Sequence, residues 1–165
     1  MANPNNPMGF VATPLLQARR YKSDADSSTP IYFGDVVQMD NDGKINAATA
    51  GETSVCGSAL TFLTGSAAGE CLVADNPFQE FLAQDDGDST TSAETHIGTN
   101  CNHIATAGTL LLKKSSHEID ISSTTASAAG FALLDFVSSP GYSVGANSIF
   151  RVLAKLHHGN VTTGI

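Results

Sequence analysis

Carboxylates cluster at two places in this 165-residue chain where they could bind a hard cation. The first, Asp40-Asn41-Asp42-Gly43-Lys44-Ile45, has the alternating acids and the glycine of the middle of a Ca²⁺-binding EF-hand loop. That pattern fails at both ends, because Gln38 would stand at the first ligand position and Thr49 at the position of the bidentate acid. The strand-like residues on each side favour a hairpin turn instead.

The second acidic group, Asp85-Asp86-Gly87-Asp88, has three carboxylates in four residues. Such a group could bind a cation at an interface. More often, however, a sequence of this kind forms an exposed loop whose charges repel one another. His96, Cys101 and His103 offer nitrogen and sulfur ligands, but their spacing matches no common structural zinc site and a fourth ligand is not evident. We therefore predict no metal site and no cofactor.

Sequence signatures of catalysis are sparse in this chain. No HExxH, P-loop or GxGxxG pattern is present, and we expect no serine in a nucleophile elbow. Scattered serines, histidines and aspartates do not by themselves form a reaction centre. We predict that the protein is not an enzyme and has no catalytic residues.

The elements that would position these side chains are short apolar runs separated by turn formers, as in a β protein. From Ile31 to Ile45, β-branched and aromatic residues run into Asp42-Gly43 and then resume, which predicts a hairpin. Further strands are predicted at Val55–Leu63, Glu70–Ala74, Glu118–Ser122, Phe131–Val137 and Ser148–Leu156. Phe78–Gln84 fits a strand or a helical turn, and Ile97–Gly108 reads as irregular. The expected fold is mainly β, with a compact β-barrel or β-sandwich-like body and an extended N-terminal arm.

Residues 1–29 are predicted to form that arm, because they hold three prolines, follow no sustained period and have too few apolar residues to build a core. A β-rich domain follows at 30–158 and a C-terminal tail at 159–165. The apolar and basic residues of the arm predict docking, by strand addition to a sheet edge, on the protein's own body, a sister subunit or a separate partner. The candidate docking residues are Phe10, Val11, Leu15, Leu16, Arg19 and Arg20.

The terminal run Ser148–Leu156 is apolar on both faces, which suits a strand whose outer face meets another layer or subunit. The candidate interface residues are Ile149, Phe150, Val152 and Leu153.

The composition of the chain indicates which classes of partner it could bind. Charged residues make up only 15% of the chain, so its surface is cheap to desolvate and favours extensive contact with other protein. A net charge of −8 repels a phosphate backbone, so we expect no nucleic-acid partner. No run reaches the length of a membrane span, the N-terminus lacks the pattern of a secretory signal, and Cys56, Cys71 and Cys101 are expected to be buried free thiols.

Four segments, taken together, resemble the capsid decoration (cement) proteins of tailed bacteriophages. They are IYFGDVVQMDNDGKINAATAGE with the following VCGSAL, DNPFQEFLAQDDG, IGTNCNHIATAG leading into SSHEIDIS, and FALLDFVSSPGYSVGANSIFRVLAKLHH. The resemblance implies a structural virion protein, made in the host cytoplasm, that binds the outer surface of the capsid. There it would contact the major capsid protein, bridge neighbouring capsomers and form a homo-oligomer, a trimer or a dimer.

Two other function classes remain open. One is a carbohydrate- or host-surface-binding β module of a phage fibre or adhesin, which is disfavoured because the chain has no tryptophan and only three tyrosines. The other is a small hydrolase, which would need a pocket with a perturbed acid or nucleophile.

Overall fold

The computed structural model describes residues 3–23, 29–52, 54–65, 68–88, 90–125, 129–137 and 143–154. Within these ranges the chain forms eleven β-strands and one short 3-10 helix at Glu94–His96. The strands are β1 Val11–Ala12, β2 Ala18–Lys22, β3 Val36–Met39, β4 Ile45–Ala47, β5 Val55–Ala59, β6 Glu70–Ala74, β7 Glu80–Gln84, β8 Asn100–Ile104, β9 Glu118–Thr125, β10 Phe131–Phe136 and β11 Ile149–Ala154.

The strands form two antiparallel sheets that pack face to face. The six-stranded sheet has the order β1-β7-β11-β10-β8-β9, and the five-stranded sheet has the order β2-β6-β5-β3-β4. Short strands joined by polar turns can close a core only by stacking their apolar faces. The mainly β fold with a sandwich-like body is therefore confirmed.

The main core lies between the sheets and is built around four buried phenylalanines, Phe10, Phe81, Phe131 and Phe150. A second apolar cluster lies on the other face of the five-stranded sheet. Val36 belongs to the first cluster and Val37 to the second, because successive side chains of a strand point to opposite faces. All five residues of β5 are buried, so this sheet has apolar packing on both sides.

The predicted hairpin is confirmed, with β3 and β4 pairing in a register that sets Met39 opposite Ile45. The chain reverses where Gly43 N–H donates to Asp40 O (3.0 Å). Lys44 Nζ lies 2.7 Å from Asp42 Oδ2. The acids of the EF-hand-like pattern thus belong to a turn. β6 coincides with its predicted strand, and Phe78–Gln84 contains the strand β7.

The prediction that 97–108 is irregular is wrong, because β8 lies within it. Its buried residues, Cys101 and His103, alternate with the half-buried Asn100, Asn102 and Ile104. A strand with histidine and cysteine on its inner face does not show the apolar alternation by which strands are recognised in a sequence.

Candidate functional site

The N-terminal segment (residues 3–22) is part of the protein's own fold. The Phe10 ring is only 1% exposed and stacks on Phe131, with ring centroids 4.5 Å apart. Its backbone N–H donates to Gly34 O (2.8 Å), and its carbonyl accepts from Ser58 Oγ (2.6 Å). The expectation that nothing before residue 30 helps to build the core is therefore wrong for Phe10. Its ring fills space between the sheets and is not available to a partner.

The same segment adds a strand to one edge of each sheet. β1 pairs with β7, so that Val11 faces Leu82, and β2 pairs with β6, so that Tyr21 faces Cys71. Strand addition is the predicted docking mode, and among the described residues the acceptor is the protein's own body. This pairing satisfies backbone groups that would otherwise form bare sheet edges.

Leu15 and Leu16 remain exposed at the corner between β1 and β2. Their side chains are 51% and 53% exposed. The buried side chain of Gln79 anchors this corner, because its Nε2 donates to Pro14 O (2.7 Å) and its Oε1 accepts from the Leu16 N–H (2.8 Å). Phe78, next to Gln79 in the chain, is also exposed. Of the predicted docking residues, Leu15 and Leu16 are the apolar ones that present a large surface to solvent.

The two arginines of the segment each lie near an acidic side chain: Glu70 on β6, or Asp75 directly after β6. Arg19 Nε lies 3.3 Å from Oδ2 of the buried Asp75, and the Tyr21 hydroxyl donates to the same oxygen at 2.5 Å. Burial and this carboxylate raise the pKa of Tyr21. Arg20 lies 3.8 Å from the exposed Glu70, a pairing that contributes little to stability. Arg19 thus compensates a buried charge, whereas Arg20 is largely exposed.

The predicted interface strand, β11, lies inside the six-stranded sheet between β7 and β10. Phe150 and Val152 are fully buried in the main core, and Ile149 is 8% exposed. The interface prediction is wrong for Phe150 and Val152, because both edges of β11 are paired and its inner face meets the other sheet. Ile149 alternates onto the outer face but is buried within the chain, so it offers no interface surface either. Leu153, on the outer face, is half-buried.

Three consecutive, strongly exposed apolar side chains belong to a turn that the sequence analysis did not select. Leu110, Leu111 and Leu112, here named the leucine turn, are 62%, 89% and 69% exposed. Backbone hydrogen bonds between Thr109 and Lys114 close the turn. The sequence signal was present as three consecutive leucines between Gly108-Thr109 and two lysines.

The turn is fastened to the body at its base. Phe33 N–H donates to Lys113 O (3.1 Å), and Ser115 N–H donates to Phe33 O (2.9 Å). Lys113 adopts a positive φ of 53°, which reverses the chain at the end of the turn. The leucines are therefore held outward by the bonds that close the turn and by the bonds of Lys113 and Ser115 to the body. A contiguous exposed apolar group of this kind is a candidate contact surface.

A cavity of about 390 Å³ has a buried acid and a buried histidine in its wall. Its other lining residues are mostly small, including Ala47, Ala48 and Ala105. His117 Nδ1 accepts the Val36 N–H (3.2 Å), so a neutral His117 carries its proton on Nε2, which lies 3.4 Å from Asp35 Oδ1. This is the perturbed pocket that a hydrolase would require.

Burial sets the protonation states of that pair. It raises the pKa of Asp35 to about 6 and lowers the pKa of His117 to about 4. At neutral pH Asp35 is therefore ionised and His117 is neutral. The nearby Ser115 is 1% exposed, and its Oγ accepts the backbone N–H of His117. The group can hold a proton, but this serine is not exposed to a substrate.

Residues 141–145, GYSVG, fit the GxSxG pattern of a nucleophile elbow, although we expected no serine in such an elbow. Gly141 and Tyr142 lie outside the described residues. Ser143 is exposed, its N–H donates to Asn3 Oδ1 (2.8 Å), and the chain continues from there into the strand β11. A nucleophile elbow joins a strand to a helix, so the local structure after Ser143 differs from that motif.

The predicted metal-ligand candidates divide in two. Within the part of the chain that the structure describes, His96, Cys101 and His103 do not form a group able to share an ion. Cys56, Cys71 and Cys101 are buried free thiols, as predicted. Asp86 and Asp88, in contrast, lie close to Asp120 of β9.

None of the described residues forms a helix with the length and hydropathy that a bilayer-spanning segment requires. Comparisons with protein-family models, with curated proteins and with solved structures find no match to this chain.

Proposed function

We propose that this protein is a structural virion protein that binds the outer surface of a tailed-phage capsid and bridges neighbouring capsomers. Two independent lines support the proposal. One is the resemblance of residues 31–158 to capsid decoration proteins. The other is the leucine turn, a compact apolar protrusion fastened to a rigid β body.

The leucine turn carries the proposal because its energetics suit a repeated contact. Burying one leucine side chain is worth about 1.5–3 kcal/mol, and three of them offset only part of the cost of fixing one protein on another. A single such contact is weak. Repeated by several copies on one lattice, it becomes tight through effective concentration.

Surface composition supports the same function. With 15% charged residues, little charge must be desolvated when the surface meets a capsid protein. A ligand that binds only the assembled, expanded lattice stabilises that lattice by mass action. This function requires no catalytic group.

We further propose that the protein forms a homo-oligomer on the capsid. Because Phe150 and Val152 lie in the core, the subunit contact must use other surfaces. Leu15, Leu16 and Phe78 are the exposed apolar side chains near the corner between β1 and β2. They remain candidates for this second contact.

The test is cosedimentation of purified full-length protein with expanded heads of the phage that encodes it. A variant with Leu110→Ser, Leu111→Ser and Leu112→Ser should lose at least about tenfold in affinity, because it forfeits most of the apolar burial. Its unfolding temperature should stay close to that of the wild type, since these side chains are already exposed.

Val144→Ser is the matched control, because Val144 is also an exposed apolar residue, 47% exposed, in another loop. It should bind like the wild type. A leucine-turn variant that binds expanded heads as tightly as the wild type would overturn the role of the turn. Wild-type protein that does not bind heads at all would overturn the proposed function.

The carbohydrate-binding alternative has less support. Sugar sites are usually built on exposed tryptophan or tyrosine rings, and the chain has no tryptophan. Tyr32 is buried, Tyr21 is half-buried with its hydroxyl on Asp75, and Tyr142 lies outside the described residues.

A further inference from the structure

Three carboxylates from two separate parts of the chain meet beside an edge strand of the six-stranded sheet. They are Asp86 and Asp88, in the loop after β7, and Asp120 on β9. The loop follows β9 closely, because the Asp86 N–H donates to Ile119 O at 3.2 Å. One oxygen of each carboxylate lies within 4.8 Å of an oxygen of each of the others.

That spacing suits a single bound cation. Calcium binds oxygens at about 2.3–2.6 Å, so two ligands of one ion can be separated by at most about 5 Å. The three acids satisfy this condition without any movement of the backbone. Each also keeps an oxygen available. Asp86 Oδ1 has no hydrogen-bond partner among the described residues, Asp88 uses Oδ1 to accept the Thr90 N–H, and Asp120 uses Oδ1 to accept the Ser122 Oγ–H.

Two buried acids behind the cluster supply an independent reason for a cation. Asp85 is 0% exposed and lies against the Asp86 carboxyl; its Oδ2 accepts the Ser92 Oγ–H (2.7 Å), whereas its Oδ1 has no hydrogen-bond partner among the described residues. Glu118 is 8% exposed, and its Oε1 is likewise without a partner there. Glu118 and Asp120 are two residues apart on β9 and share a face of the sheet.

No described lysine or arginine forms an ion pair with any of these five acids. Buried carboxylates without an opposite charge nearby are costly, because they lose water and gain no compensating charge. Their mutual repulsion adds to this cost. A divalent cation at the cluster would supply the missing positive charge.

The loop backbone is shaped for a close approach. Gly87 has a φ of +64°, and a Cβ atom built on it would lie 2.2 Å from Asn147 Oδ1. Only glycine fits this turn between the two aspartates. The Asn147 amide oxygen is buried and has no hydrogen-bond partner in the described part of the chain, so it adds another oxygen beside the loop.

We propose that Asp86, Asp88 and Asp120 bind one Ca²⁺ ion. The donors are all oxygens, which suits a hard cation better than zinc, because zinc sites usually contain nitrogen or sulfur ligands. Calcium accepts six to eight oxygens in flexible geometry, whereas magnesium demands a near-ideal octahedron. Bound calcium ties the loop after β7 to β9 and neutralises the acids behind it. The site is independent of the capsid proposal.

The experiment is thermal unfolding of full-length protein, stripped with a chelator, with and without CaCl₂, together with calorimetric titration. Wild-type protein should bind one Ca²⁺. Its unfolding temperature should rise by about 5–10 °C when free calcium is one hundred times the dissociation constant. No stoichiometric binding at 1 mM CaCl₂ would overturn the proposal, and equal stabilisation by MgCl₂ would overturn the preference for calcium.

Asp88→Asn is the informative variant, because Asp88 is exposed and an asparagine oxygen can still accept the Thr90 N–H. Without calcium it should unfold at the same temperature as the wild type or higher, because one like charge is gone. With calcium its unfolding temperature should no longer rise.

Glu70→Gln removes one exposed acid from the other sheet and is the matched control. It should respond to calcium as the wild type does. If Asp88→Asn gained as much from calcium as the control, Asp88 would not be a ligand and the proposed site would be wrong.

Discussion

Neither the N-terminal segment nor the leucine turn shows the alternation of a regular strand in the sequence, yet apolar side chains of the two end in opposite environments. Phe10 is 1% exposed, whereas Leu111 is 89% exposed. The backbone of the first continues into edge strands on both sheets, which carries its ring between them. The second is closed on itself by bonds between Thr109 and Lys114. Apolar composition therefore does not reveal burial. The hydrogen-bonding partners of the backbone decide it.

The largest expected effect in this comparison is that of Phe10→Ala. Truncating a buried phenylalanine removes its burial free energy and leaves a cavity, so we expect a loss of about 3–5 kcal/mol in the free energy of unfolding, measured by urea denaturation. Deletion of residues 2–22 should be at least as damaging, since it also removes β1 and β2. If the Phe10→Ala protein were as stable as the wild type, Phe10 would not be a core residue, and its ring could serve in docking.

A pH-dependent effect comes next, at His103, which meets the Phe10 ring edge-on at 6.3 Å between centroids. Burial, reinforced by the facing His117 and opposed by Glu52, lowers the pKa of His103 to about 4, from 6.5. The neutral form is thus favoured by folding. Its contribution is complete above pH 6.5 and is lost as the pH falls towards 4.

Replacing His103 with leucine removes this titration. Between pH 7.5 and pH 4, the wild type should lose about 3 kcal/mol of unfolding free energy relative to His103→Leu, because a difference of one pKa unit corresponds to about 1.4 kcal/mol. Urea denaturation of both proteins at several pH values measures the difference. Parallel pH profiles would mean that His103 is hydrated in the folded protein. The leucine turn contains no titratable group to produce such an effect.

The smallest expected effect is that of Leu111→Ser. The side chain is already in water, so the free energy of unfolding should change by no more than about 0.5 kcal/mol in urea denaturation. If the free energy of unfolding fell by more than about 2 kcal/mol, the turn would have to pack on the body in solution. Leu111 would then be buried like Phe10, and the two regions would no longer differ.

Local patterns predicted part of this molecule. The Asp42-Gly43 turn identified the β3–β4 hairpin, and the β-type run Glu70–Ala74 identified β6. β8 was missed because its inner face holds Cys101 and His103. β11 was correctly predicted as a strand, but Phe150 and Val152 were wrongly assigned to an interface. A strand in the middle of a sheet and a strand at a subunit interface can have the same apolar residues, so the sequence does not distinguish them.

The calcium-site candidate was visible only in part. Asp86 and Asp88 are close neighbours in the sequence, and their shared loop could bind a cation, but the acidic run by itself favours an exposed loop and we predicted no metal site. Asp120 lies in a different predicted strand, and nothing local connects it to the loop. The pairing of the loop with Ile119 brings the third carboxylate into place.

The amino-acid sequence by itself determined the β class, the hairpin, the free thiols and the lightly charged surface, because strand propensity, turn chemistry and composition act over a few residues. Only the tertiary structure decided that Phe10 is core, that the leucines are exposed and that Asp120 joins Asp86 and Asp88. These outcomes depend on contacts between residues far apart in the chain, where the available space and the free hydrogen-bonding groups are set by the packing of the two sheets.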